Sequence, residues 1–342
     1  MIIELHLLQS FSPANLNRDD TGAPKDCEFG GVRRARVSSQ CWKRAMREYF
    51  AALPEILAEE QLGVRTKQVG KLLRSRFLAA EKREEEVETA VSRLESEYLL
   101  FIGRRDVEAL ATACLQTWPD LVRRDTTTTI STDSNPQPKI KPAKSKQKPA
   151  EEKNVLKEAL KALPSVERAA DIALFGRMIA DLPQKNVNAA AQVAHAIPTH
   201  KVTMDIDYYT ALDELQGNEE SGAAMIGSSE FNSACFYRYL NVDTGQLARN
   251  LGGDHDLTKR AAHAYIRSAV EAIPKAKQNS MAARNPPLFV LAVARQSGAW
   301  NLVNAFLRPA RGSSDKDVLQ HLRRSIIGAL AGSPNHVWRR FH

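Results

Sequence analysis

The sequence predicts an α+β fold in which elements run strand, helix, large insertion, strand, strand, helix, strand. Three observations carry that expectation. Apolar residues alternate in the first residues, as on a half-buried strand. Two segments, Ser39 to Ala52 and Thr258 to Ile273, repeat their apolar residues at helical spacing instead. Between them lies a long charge-rich stretch, so the two strand–helix units are separated by inserted chain.

In order, Ile2 to Gln9 begins with β-branched residues and places Ile3, Leu5 and Leu7 on one strand face. A polar loop follows from Ser10 to Gly31. The Ser39–Ala52 helix comes next, then a largely helical region from Ala58 to about Arg124 with few turn residues. Asp125 to Lys153 has four prolines, six lysines and almost no bulky apolar residue. Such a segment cannot bury enough surface to offset its ordering entropy, so a mobile loop is expected. It reads equally as a polycationic arm and as a solvated insertion. Val155 to Leu163 resumes as helix. Lys201 to Asp207 and Phe231 to Val242 read as strands. The Thr258 helix carries Ala261, Ala262, Tyr265, Ile266 and Ala269 at core spacing. Leu288 to Ala294 follows Pro286 and Pro287 as a buried strand, and the chain after Trp300 reads as helical and basic. The order matches the ferredoxin-like βαββαβ arrangement shared by RNA-recognition folds.

With 342 residues, 43% of them apolar, the chain can bury one large core or two moderate ones. Its net charge of +8 favours a polyanionic partner. The cysteines, Cys27, Cys41, Cys114 and Cys235, have neither zinc-site spacing nor the density of a disulfide framework, so a reducing cytoplasm is expected. MIIELHLLQS is too short and acidic for a signal peptide, and no apolar run approaches a membrane span.

Phe29 to Arg47 stands out. FGGVRRARVSSQCWKRAMR holds six cations (Arg33, Arg34, Arg36, Lys43, Arg44, Arg47) and no acid. Gly30–Gly31 permits a tight turn, and Ser38 or Ser39 would cap the helix that follows. At helical phase, Gln40, Lys43, Arg44 and Arg47 form one stripe, with Trp42, Ala45, Met46 and Tyr49 opposite. A helix N-terminus and guanidinium forks both suit phosphate oxygens. With little aromatic interleaving, the segment is expected to hold a nucleic-acid backbone without reading its sequence.

Other candidate chemistry is thin. Asp19–Asp20 could hold a metal for RNA cleavage, but Arg18 and Lys25 nearby favour an ion pair or loop cap. His255–Asp256 opens like a metal-hydrolase motif without its second half, and Asp254 or Asp256 suffices as a helix cap. Asp205 and Asp207 share a strand face, weak evidence for a metal. His195 and His200 lack the i, i+4 spacing of a helical zinc pair. No cofactor motif is present, so neither a catalytic centre, a cofactor nor a metal is expected.

The residues also carry a resemblance. LNRDD (Leu16 to Asp20), FGGVRRARVSSQ (Phe29 to Gln40), WKRAMR (Trp42 to Arg47) and DIALFGRM (Asp171 to Met178) resemble the CasC-type backbone subunit of the type I-E CRISPR Cascade complex, a RAMP-like family. The likeness continues through AHAIPTHKVTMDIDYYTALDEL (from Ala194), SSEFNSACFYRYLNVD (from Ser228), NLGG (from Asn250) and KAKQNSMAARNP (from Lys275). It implies a ferredoxin-like palm (1–55 and 195–342), a helical fingers lobe (56–170, with loop 125–153) and a thumb loop (171–194). It further implies a non-catalytic protein that lines up with copies of itself along a CRISPR RNA, beside other Cascade subunits, and presents the guide to target DNA. The RNA-facing set would be Arg18, Lys25, Arg33, Arg34, Gln40, Lys43, Arg44 and Arg47. Met178 would wedge between bases from the thumb tip, with Tyr209 and Thr210 on the other side of the gap. Lys153, Lys157 and Lys161 would meet target DNA. Val32 departs from the family, which often has a cation there. A metal-dependent ribonuclease using Asp19 or Asp20, and a general single-stranded RNA binder, stand as alternatives.

Overall fold

Alternation in β1 and helical phase in the segments after it build a sheet with helices on one face, once the chain has left and returned. The computed structural model describes residues 1–123, 150–164, 166, 168–211 and 225–310, with side chains from 155 in the second of these stretches. It opens with β1 (Ile2–Ala14), the hairpin strands β2 (Asp26–Phe29) and β3 (Val32–Ala35), and α1 (Ser39–Phe50). A second unit follows, with β4 (Gly63–Gln68), α2 (Val69–Ala79), α3 (Glu84–Arg93), β5 (Glu95–Gly103), α4 (Val107–Gln116), α5 (Trp118–Val122), α6 (Ala150–Lys161) and α7 (Ala170–Phe175). The chain then returns through β6 (Ala191–Val193), β7 (Ile197–Pro198), β8 (Asp205–Ala211), β9 (Met225–Asp243), α8 (Thr244–Asn250), α9 (His255–Glu271), α10 (Gln278–Met281) and β10 (Phe289–Arg295). The two compact units are Met1–Ala58 with Ala189–His342, and Glu59–Asn188.

In the first unit the sheet order is β10-β1-β9-β6, with every pairing antiparallel. With α1 between β1 and β6, and α9 between β9 and β10, this is the ferredoxin-like strand order. The end of β1 and the strand β2 fall in the expected loop Ser10–Gly31, and one strand of the sheet is not the expected segment. Lys201–Asp207 was expected as the second sheet strand, but the edge position belongs to the three residues Ala191–Val193. Strand β8 instead pairs with the overhanging start of β9, Met225 to Phe231. AQV is too short and alanine-rich to announce itself as a strand.

One sheet face packs on α1 and α9. Trp42, Ala45, Met46 and Phe50 of α1 are buried, while Tyr49 is half-buried and donates to the Glu271 carboxylate. From α9, Ala261, Ala264, Tyr265 and Ala269 are buried. The Tyr265 hydroxyl ties the helix to two strands, donating to Asn241 O (3.0 Å) and Gln192 O (3.1 Å). The opposite face carries Leu8, Tyr237, Tyr239, Leu291 and Val293, and residues 302–306 cover it through Phe306. Because both sheet faces are covered, β1 is buried almost without interruption from Glu4 to Phe11, its polar Glu4, His6 and Gln9 included. On that outer face Glu4 is enclosed. It pairs with Arg295 and accepts from the Tyr239 hydroxyl (2.7 Å) and Trp300 N (2.6 Å).

The second unit has its own core, in which Leu73 and Phe77 of α2 meet Val87 and Ala90 of α3, Leu110 of α4 and Leu160 of α6. Phe77 and Trp118 pack edge to face at 5.1 Å. Its β4–β5 ribbon falls where the sequence read as mostly helical, because the charged VRTKQ and the run ESEYLLFIG lack a clean period of two.

Asp254 caps α9, its Oδ1 accepting from Leu257 N at 2.9 Å, whereas Asp256 pairs on the surface with Arg260 at 2.8 Å. Asp254→Ala should therefore cost about 1 kcal/mol of first-unit stability, and Asp256→Ala less than about 0.5 kcal/mol. Paired denaturant titrations measure both.

Candidate nucleic-acid interface

Three successive structures bring the basic segment to one edge of the first unit. The first is the loop between β1 and β2. Asp19 Oδ1 accepts from Thr21 N (2.9 Å), Thr21 Oγ1 (2.7 Å) and Ala23 N (3.0 Å), so these donors hold its carboxyl below the usual range. That is a loop cap. Arg18 beside it is exposed. The second is the β2–β3 hairpin, closed by Gly30 and Gly31 with φ of +64° and +71°. Two consecutive positive φ values make the two-residue turn that suits twisted strands. The third is α1, capped by Ser38, whose Oγ accepts from Cys41 N at 3.3 Å. Two backbone bonds, Lys25 N to Asn17 O (2.8 Å) and Arg36 N to Lys25 O (2.8 Å), and one to a side chain, Ser38 N to Asn17 Oδ1 (2.8 Å), stitch the three together.

Alternation along β3 sorts its arginines. Arg33 is exposed and pairs with Asp26. Arg34 points the other way and is fully buried. It donates to Pro198 O (2.9 Å), Phe306 O (2.9 Å), Phe29 O (3.3 Å) and Leu307 O (3.5 Å). Arg34 therefore leaves the expected phosphate-facing set, because its guanidinium is consumed by carbonyls inside the fold. Arg36 is half-buried, donates to Asp26 O (3.3 Å) and meets His195 Nδ1 at 3.3 Å. Burial, then Arg36 and Lys25, lower the His195 pKa, which keeps its ring neutral near pH 7.

On α1, Gln40 and Arg44 are exposed, and Lys43 and Arg47 are half-buried. Arg44 pairs with Glu48 at 2.8 Å, and Glu48 also pairs with Lys275 at 3.1 Å. Arg18, Arg44 and Lys275 line one open cleft of about 690 Å³, together with the carboxylates of Asp19, Asp20 and Glu48. Lys275 was missed as a site residue, since only the fold brings the chain after α9 to α1. Cys41 at the same cleft has its thiol pushed up to about 11 by burial, so it is no nucleophile at neutral pH.

The β8–β9 ribbon is an arm. All seven β8 residues are exposed, and their partners on β9 are exposed or half-buried. It displays Ile206, Tyr208, Tyr209, Met225 and Ile226 to solvent. Tyr209 lies across Gly227, where a Cβ would stand 2.4 Å from the ring, so glycine there gives the ring its seat. Thr210 is exposed beside it.

In the second unit, the expected loop DIALFGRM is a buried helix over Ala170–Phe175, and Asp171 Oδ1 accepts from Gly63 N at 2.8 Å. Met178 alone of that motif projects strongly, at 79% exposure. Its neighbours are tied down. Arg177 N and Val187 O bond at 3.0 Å, the Arg177 guanidinium donates to Lys185 O, and Ile179 N donates to Asn186 Oδ1 at 2.6 Å. Lys157 is half-buried and Lys161 is exposed, pairing with Glu158 at 2.5 Å. The Lys153 side chain and residues 124–149 lie outside those described.

The model of the CT1975-like Cas proteins matches residues 3–327. The chain belongs to this family. Two solved structures share the fold of this CT1975-like chain. One is titled "CRISPR RNA-guided surveillance complex, pre-nicking", with TM-score 0.79, 24% identity, and coverage of 98% of this chain and 90% of that one. The other is titled "CRISPR RNA-guided surveillance complex", with TM-score 0.59, 22% identity, and coverage of 98% and 86%. No curated protein matches the chain.

Exposure at Met178 and burial at Met46 make a simple check. Limited peroxide treatment should convert Met178 to the sulfoxide well before Met46, read by peptide mass spectrometry.

Proposed function

We propose that this CT1975-like chain is a non-catalytic, guide-RNA-binding backbone subunit of a CRISPR surveillance complex, of the type I-E Cascade kind. The observation that carries the reading is the convergence, at one edge, of a glycine-turned hairpin with exposed Arg33, a capped helix bearing Lys43, Arg44 and Arg47, and an open cleft where Arg18 is exposed. Arg18, Lys25, Arg33, Gln40, Lys43, Arg44 and Arg47 hold the sugar–phosphate backbone there, as charge without base readout. The titles of the similar structures, both RNA-guided surveillance complexes, support the same reading.

The rest of the mechanism follows the exposed apolar groups. The β8–β9 arm fits the role of a thumb better than the DIALFGRM segment, whose helix is internal. Tyr209, Thr210 and Met178 interrupt base stacking at intervals, an aromatic and an unbranched thioether being tolerant of any base. Copies line up along one guide among other subunits of the complex, and base pairing reads the target. Of the two carboxylates in the ribonuclease alternative, Asp19 loses ground, because three donors of its own turn are taken up by its Oδ1.

The purified complex should carry RNA of discrete length with CRISPR repeat and spacer sequence, read by sequencing; random cellular RNA would favour a general single-strand binder. In vitro, Arg44→Ala should weaken all single-stranded sequences alike and flatten the salt dependence by about 0.7 in slope. A sequence-selective loss would sink the backbone-contact model. Alanine at Lys153, Lys157 and Lys161 should weaken target-strand DNA binding and spare guide binding, measured by titration of the assembled complex.

A further inference from the structure

Sheets of this order commonly stack bases on aromatic residues of their two central strands. Here those strands are β1 and β9, and they place His6, Tyr237 and Tyr239 on one face. That face is closed. The Phe306 ring sits 5.2 Å from that of Tyr237, and Phe306, Tyr237 and His6 are all buried. The cover is a strap over residues 300–310. Trp300 N donates to Glu4 (2.6 Å), Leu302 N to the Tyr237 hydroxyl (3.0 Å) and Ala310 N to Thr199 O (2.9 Å).

The strap also grips the basic hairpin, through Arg34. Its guanidinium donates to Phe306 O and Leu307 O on the strap, Pro198 O on β7 and Phe29 O at the hairpin turn. Gly30 lets the turn approach, since a Cβ there would stand 1.8 Å from Leu307 O. Three segments far apart in sequence thus meet on one side chain. Arg33, next in the chain, points out to solvent.

We propose that Arg34 is a positioning residue that fastens the 300–310 strap to the β2–β3 hairpin, closing the sheet's aromatic face to bases and fixing the hairpin that presents Arg33 and Lys25 to the RNA backbone. The inference rests on the guide-binding reading for its second half only. The strap itself is read separately, without RNA.

Two measurements on the full chain test it. In hydrogen exchange, Arg34→Met should deprotect residues 300–310 and 26–35 while β1 and α9 keep their protection. In titrations with single-stranded RNA, it should weaken binding by about tenfold, the scale of re-ordering about one loosened residue on contact, at an unchanged salt slope. Gly30→Ala removes no charge but displaces Leu307, and should give the same two changes. Arg33→Ala should do the reverse, lowering the slope by about 0.7 with the strap still protected. A slope lowered by Arg34→Met as much as by Arg33→Ala would make Arg34 a phosphate contact and overturn the proposal. Unchanged protection at 300–310 would overturn it as well. If Arg34→Met does not fold, Gly30→Ala and Arg34→Lys decide the matter. The lysine keeps the charge but not the fork, so it should deprotect the strap too. A wild-type chain that binds no single-stranded RNA would sink the guide-binding reading alone, and the exchange data would still judge the strap.

Discussion

The long antiparallel pairing of β1 with β9 is the constraint on which the first unit depends. It runs in register from Ile2 opposite Asp243 to Phe11 opposite Ala234, joining segments more than two hundred residues apart. Closing a loop of that length costs about 5 kcal/mol in chain entropy. Burying Leu5, Leu7, Leu8 and Phe11, at about 1.5–3 kcal/mol each, is enough to offset it. The rest is placed by this pairing. β10 and β6 add at the two sides, α1 and α9 pack on one face, and the strap over 300–310 packs on the other. The strand β9 is longer than β1 can use. Its first residues, Met225 to Phe231, extend past the sheet and pair with β8, so the exposed arm is the surplus of the central strand.

The same geometry decides which cations face solvent. A count of positive charges treats Arg33 and Arg34 alike, but successive residues of a strand point to opposite sides. One therefore faces solvent beside Asp26 and the other enters the fold to meet four carbonyls. The buried arginine is not a charge left uncompensated. Its donors are matched by carbonyl oxygens from three segments, a use for which a planar fork suits better than an ammonium. Arg238, also fully buried, is treated differently. It stacks at 3.6 Å over Trp42 and donates to Gln9 Oε1 at 2.6 Å, and burial pulls its pKa down to about 9.

Much of this was legible in the residues, and the failures have physical reasons. The periodicity of Ile2–Gln9, Ser39–Ala52 and Leu288–Ala294 marks elements that pack on one core, so their patterns are strong and the ferredoxin-like order follows from them. The helical phase of α1 placed Trp42, Ala45 and Met46 inside correctly, because an amphipathic helix has little choice. Ala191–Val193 was invisible because a three-residue edge strand needs only a neighbour's backbone, not a pattern of its own. The arm was hidden for the opposite reason, since neither face of β8 is buried and no apolar period is required of it. Within the site, the Gly30–Gly31 turn and the serine cap are local and could be read. The inward turn of Arg34 and the arrival of Lys275 beside Glu48 depend on the strap and on the chain after α9, which no local pattern encodes.

In the guide-binding proposal, the exposed apolar groups and the cationic edge answer to different physics, and that division makes sense of their construction. Phosphate attraction is long-ranged and forgiving, so long cationic side chains on a hairpin and a helix face serve it well. Interrupting a stack of bases is short-ranged and demands a fixed tip. Met178 meets that demand only at its backbone, which is held on both sides by Arg177 N on Val187 O and Ile179 N on Asn186 Oδ1. Tyr209 meets it through Gly227, which seats the ring across the ribbon and limits its freedom before any partner arrives. A tip whose support is already ordered loses less entropy on contact, so such tips suit the proposed role, in which each copy acts alike on whatever base it meets.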